Sequence, residues 1–86
     1  MTALRDIKPG LLFKTRVSRD VRAMDKNYVI GNVVDVLYPG EHFLVISLID
    51  FGWKIAGLWV LTPRTSGYIG IHQWTLNGVE LVTPTT

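Results

Sequence analysis

Breakers cut this chain into segments too short for ordinary helices and well matched to strands. Eight glycines and four prolines punctuate 86 residues. Between Pro9 with Gly10, Gly31, Pro39 with Gly40, Gly52, Pro63 with Gly67, and Gly78, the segments are rich in valine, isoleucine and aromatics. β-Branched and aromatic side chains fit a pleated, half-buried surface, and glycine and proline fit the turns between strands. At this length there is room for one domain, with a core spanning about residues 7–82, and none for a doubly wound α/β enzyme. The chain has no cysteine, which removes disulfide frameworks and thiolate zinc sites.

Residues 11–17 alternate, with Leu11, Phe13, Thr15 and Val17 on one side and Lys14 and Arg16 on the other, as a half-buried strand requires. Residues 18–27 are polar and charged; they read as a long loop or one helical turn capped by Ser18. Residues 28–38 form a long strand in which Gly31 marks a bulge or bend. Pro39 and Gly40 fit the centre of a type II turn. Strands then follow over 43–49 and 55–62, joined by a turn at residues 50–54. Residues 63–67 are a loop and 68–71 a short strand. Asn77 with Gly78 signals a hairpin within 74–82, and the competing reading is a 3₁₀ turn at 72–75 followed by a last strand at 79–82.

The expected fold class is therefore all-β, a small antiparallel barrel of five to six strands. The order is one strand, a long connection, three strands joined by tight hairpins, then a loop, a turn and a final short strand. That order resembles the SH3-like barrel plan, the class that includes Tudor and KOW-type modules. Gly31, Asn32, Val33, Val34, Asp35 and Val36 loosely echo the glycine-then-valine spacing of a KOW segment. An OB-type barrel is the alternative, although it usually takes a longer chain and a helix.

Hydrophobic residues make up 48% of the chain, high for a small domain with a large relative surface. The excess concentrates at 43–61. Phe43, Leu44, Val45, Ile46, Leu48 and Ile49, then Leu58, Trp59, Val60 and Leu61, place apolar groups on both faces. A small barrel has one interior, so the outer face of this hairpin requires a cover: another part of the chain, a second copy or a partner. The same window approaches the hydropathy of a membrane helix. Asp50 and Lys54 at its centre would each cost about 2.5–3.5 kcal/mol at mid-bilayer, which favours a hairpin and a soluble, cytoplasmic protein with no membrane partner. Residues 1–10 lack the apolar core of a signal peptide.

Chemistry-bearing patterns are sparse. His42 and His72 stand far apart, and with Asp35, Glu41 and Asp50 they form no spacing typical of a metal site. Ser18, Ser47 and Ser66 lack a nucleophile elbow, and there is no phosphate-binding loop or dinucleotide fingerprint. The reading is a non-enzymatic chain with no catalytic residues, no metal, no cofactor and no small-molecule substrate. Binding features are richer. Phe51 and Trp53 flank a turn glycine and Tyr38 precedes Pro39, so these aromatics suit loop tips; with Leu58 they are the candidate protein-binding residues. Seven of the nine basic residues precede residue 27. Lys14, Arg16, Arg19, Arg22 and Lys26 could contact phosphates, with loop aromatics stacking on bases, although Asp20 and Asp25 interrupt them. No aromatic trio argues for a Tudor-type methyl cage. The favoured function is a protein-interaction module, an adaptor, inhibitor or assembly subunit that binds a partner or itself. Nucleic-acid binding is the alternative.

Overall fold

The computed structural model describes residues 2–3, 7–27, 29–50, 55–71, 75–76 and 78–82. Their elements are all strands: β1 (Thr2–Ala3), β2 (Leu12–Thr15), β3 (Arg19–Met24), β4 (Ile30–Leu37), β5 (His42–Asp50), β6 (Ile55–Leu61), β7 (Ser66–Gly70), β8 (Thr75–Leu76) and β9 (Val79–Leu81). Seven of them form one antiparallel sheet in the order β4-β3-β7-β6-β5-β2-β9, and β1 pairs with β8 in a small second sheet. The large sheet is open, with β4 and β9 at its edges.

Connection length forces that sheet to curl. In a flat sheet β3 would lie four spacings from β2, about 19 Å away at ~4.8 Å per spacing. The four peptide steps from Thr15 to Arg19 reach at most ~14 Å. The strands therefore bend around one interior, and Phe13, Val21, Leu37, Phe43, Val45, Leu58, Val60, Ile69 and Val79 meet there with Ile7. Phe13 and Phe43, directly opposite on β2 and β5, stack with ring centroids 5.8 Å apart. Burying such side chains is the main favourable term of folding.

Residues 18–27, expected as a loop or helical turn, contain strand β3 instead. Val21 supplies a fully buried inward side chain, and β3 is paired to β4 on one side and β7 on the other. Ladders on both sides override the helical preference of Arg22, Ala23 and Met24. The register between β3 and β4 shifts twice, once at Val34 and once within residues 31–32, which places a bulge at the expected glycine. The 38–41 turn is type II: Gly40 has φ +92, a conformation that favours glycine, and the Glu41 amide donates to Tyr38 O at 3.0 Å.

The hairpin expected around Asn77 and Gly78 does not form. β8 pairs with β1 and β9 returns to β2, so the two segments part at the turn. A last strand beside the first satisfies the competing reading in part; residues 72–74 and Asn77 lie outside the described residues. The strands at 43–49 and 55–62 are present as the paired β5 and β6, while residues 51–54 between them lie outside the described residues. Among the described residues, no helix is long and apolar enough to cross a membrane.

Candidate protein-interaction surface

Cross-strand register decides which apolar side chains of β5 and β6 face outward. Leu48 opposes Leu58 and Val45 opposes Val60, all toward the core. Ile46 is an extra residue on β5 between the Val45–Val60 and Ser47–Trp59 pairs, and this bulge reverses the alternation of the strand. Outward, Leu12 of β2 opposes Leu44, and Leu44 opposes Leu61. Leu12, Ile46 and Leu61 are 37%, 44% and 47% exposed, and Leu44 beside them is half-buried. Leu12, Ile46 and Leu61 thus stand exposed around the half-buried Leu44 on the convex side of β2, β5 and β6.

The next outward row runs Ser47, Trp59, Tyr68, Arg22, Val33 across five strands. Tyr68 is buried because its ring lies over Gly57, where a Cβ would collide with the ring and with Ile69 O. Burial raises the Tyr68 hydroxyl pKa. An aromatic ring over a strand glycine fills the space that the missing side chain leaves.

The residues expected to bind a partner separate under this geometry. Leu58 is fully buried in the core and offers nothing to a partner; β6 presents Trp59 and Leu61 on the other face, so Leu61 holds the place assigned to Leu58. Tyr38 is exposed at the 38–41 turn. Phe51 and Trp53 lie outside the described residues. The sequence does not single out Leu12, and it places Ile46 in the two-faced apolar hairpin without a face of its own, because an isolated strand does not reveal its phase and the bulge at Ile46 is created by pairing with β6.

The basic residues of the 14–26 segment have different partners. Lys14 and Arg16 both approach Glu80, at 3.8 and 4.0 Å. Arg19 opposes the buried Leu37; it is half-buried, and its Nε has no hydrogen-bond partner among the described residues. Burial lowers its pKa. Arg22 donates to Gly31 O at 3.2 Å, and Lys26 sits exposed in the β3–β4 turn.

Asp35 and Glu41, carboxylates from two different segments, converge on Arg64. Arg64 Nε donates to both Asp35 oxygens at 2.9 and 3.2 Å, while Nη1 and Nη2 meet the two Glu41 oxygens at 2.7 Å each. Nη2 also donates to Val36 O at 2.9 Å, and Thr62 Oγ1 donates to Asp35 Oδ2 at 2.9 Å. The Arg64 hydrogen bonds and the Tyr38 amide hold the Glu41 pKa down at about 2. Burial pushes Asp35 up, but hydrogen bonds from Arg64, Thr62 and the Val36 amide outweigh it and bring its pKa below the ordinary value. The two carboxylates raise the pKa of Arg64. This clamp ties the 62–65 loop to the end of β4; forked guanidinium–carboxylate geometry of this kind fixes position as well as charge. No group of three or more metal-ligating side chains occurs among the described residues.

No family model matches the chain, and no curated protein and no solved structure matches it either.

Proposed function

We propose that the protein is a non-catalytic interaction module of SH3-like plan that binds a protein partner through the convex face of β2, β5 and β6. The observation that carries this reading is the adjoining exposure of Leu12, Ile46 and Leu61 around Leu44 on one sheet face. Contiguous exposed apolar side chains on a small domain favour association, because covering them removes apolar surface from water. Tyr38 supplies a further exposed aromatic contact on its turn. The SH3-like plan is supported by the β5-β6-β7 meander and by the last short strand β9 returning to β2; it is departed from where a long connection was expected, since β3 and β4 pair there with each other and β4 is not hairpin-paired to β5.

The test uses immobilised wild-type protein and the variants Leu61→Lys and Val34→Lys, with folding checked by circular dichroism. The reading expects a discrete protein retained at moderate salt by the wild type and by Val34→Lys, and lost with Leu61→Lys. Equal retention by Leu61→Lys contradicts it. Recovery of nucleic acid at low salt, released steeply as salt rises and abolished by neutralising Arg16 and Arg22, would favour the phosphate-binding alternative instead.

A further inference from the structure

The outer edge of β4 is a second, separate surface. β4 is the long edge strand of the open sheet, and over residues 30–34 every side chain is exposed. Ile30, Val33 and Val34 are 46%, 42% and 49% exposed, and the adjoining Val29 is 59% exposed. Natural edges are normally blunted by charge, proline, shortness or a bulge. Here no residue from 27 to 34 carries charge, none is proline, and the bulges leave the apolar groups in the open.

We infer that this edge pairs antiparallel with the same edge of a second copy of the chain, about a two-fold axis between Gly31 and Asn32. The register follows from the faces. Ile30 opposes Met24 and Val33 opposes Arg22, and Met24 and Arg22 are two apart on β3, so the bulge between them brings Ile30 and Val33 to the same outer face. Val34 turns inward: its Cγ2 and the Cγ1 of the buried Val21 flank the point where a Cβ on Gly67 would lie, at 3.5 and 2.5 Å. Val29, next to Ile30, falls on that inner side as well. A two-fold axis between Gly31 and Asn32 therefore sets Ile30 against Val33 of the second copy on the outer face and Val29 against its Val34 on the inner face. Apolar meets apolar on both sides, and no like charges oppose one another. A second copy fits this edge because the strand is complementary to itself in that register and in the sense a two-fold axis demands.

The contact is small. Six residues span ~20 Å of strand, well short of a standard stable interface, so the association is weak and concentration-dependent. It goes beyond the convex-face reading and does not depend on it.

Sedimentation of the full chain from low micromolar to near-millimolar concentration tests the inference. The wild type and Leu61→Lys are expected to shift from monomer toward dimer as concentration rises. Ile30→Lys alone is expected to remain monomeric, as is Val33→Glu alone. Mixing these two variants restores dimer, because the register places the substituted residues face to face. Both positions are exposed, and circular dichroism confirms that each variant folds. A wild type that stays monomeric throughout overturns the inference, and so does an Ile30→Lys variant that dimerises as the wild type does. If Leu61→Lys alone abolishes the dimer, self-association belongs to the convex face and the edge has no part in it. Failure of the mixed variants to associate overturns the register.

Discussion

The two halves of β4 both carry valine and have opposite fates. Residues 30–34 are exposed on both faces, whereas Asp35 and Val36 are half-buried and Leu37 is fully buried. Valines occur in both halves, so strand propensity does not separate them. The difference lies in what reaches each half from elsewhere. Arg64, Thr62 and Glu41 close over the second half, and Arg64 takes the Val36 carbonyl. Beyond the β3 ladder, the first half receives one side-chain hydrogen bond among the described residues, from Arg22 to Gly31 O. Local preference makes the strand, and tertiary partners decide which part of it remains a surface.

The strongest way to sharpen this contrast is to remove apolar groups from each setting. Phe43→Ala, in the core opposite Phe13, is expected to cost about 3–5 kcal/mol in urea unfolding. Val33→Thr, on the open half of β4, is expected to change monomer stability by no more than about 0.5 kcal/mol. Comparable losses would mean that residues 30–34 are covered in solution even in the monomer.

A smaller effect tests the turn that carries the chain from the locked half into β5. Gly40→Ala must hold an alanine at φ +92 and is expected to destabilise by about 1–2 kcal/mol. An unchanged unfolding midpoint would mean that the turn adopts another form.

The clamp gives a pH signature. Glu41 carries a folded-state pKa of about 2 against an ordinary 4.5, and Asp35 is lowered as well. A carboxylate whose pKa is depressed by folding stabilises the fold above its unfolded pKa and loses that contribution as pH falls through the folded value. Wild-type stability should therefore drop between about pH 4.5 and about pH 2, and Arg64→Ala should flatten that drop while lowering Tm modestly at neutral pH. Parallel pH profiles for the two proteins would show that the clamp adds no stability.

Much of the fold was legible because it is local. The turn at Pro39 and Gly40, the alternation of Phe13 and Thr15, and the two apolar strands on either side of residues 51–54 all follow from neighbouring residues. What was hidden depends on pairing across distance. β3 was unreadable because Val21 is the one fully buried side chain in a polar stretch, and its two ladders come from β4 and β7. Leu58 and Leu61 could not be told apart as inside and outside until the register with β5 was known. Asn77 and Gly78 carry a hairpin signal, yet β8 and β9 have stronger claims on them from β1 and β2. The apolar face of the hairpin was foreseeable, and its membership was not.

Amide hydrogen exchange along β4, compared between dilute and concentrated protein, tests most directly the claim that this fold leaves half a strand open for association. In dilute solution the amides of residues 30–34 that face away from β3 should exchange quickly, while Leu37 stays protected. At high concentration the first half should gain protection in the wild type and not in Ile30→Lys. Slow exchange across residues 30–34 in dilute protein, or an exchange pattern indifferent to concentration, would contradict the account.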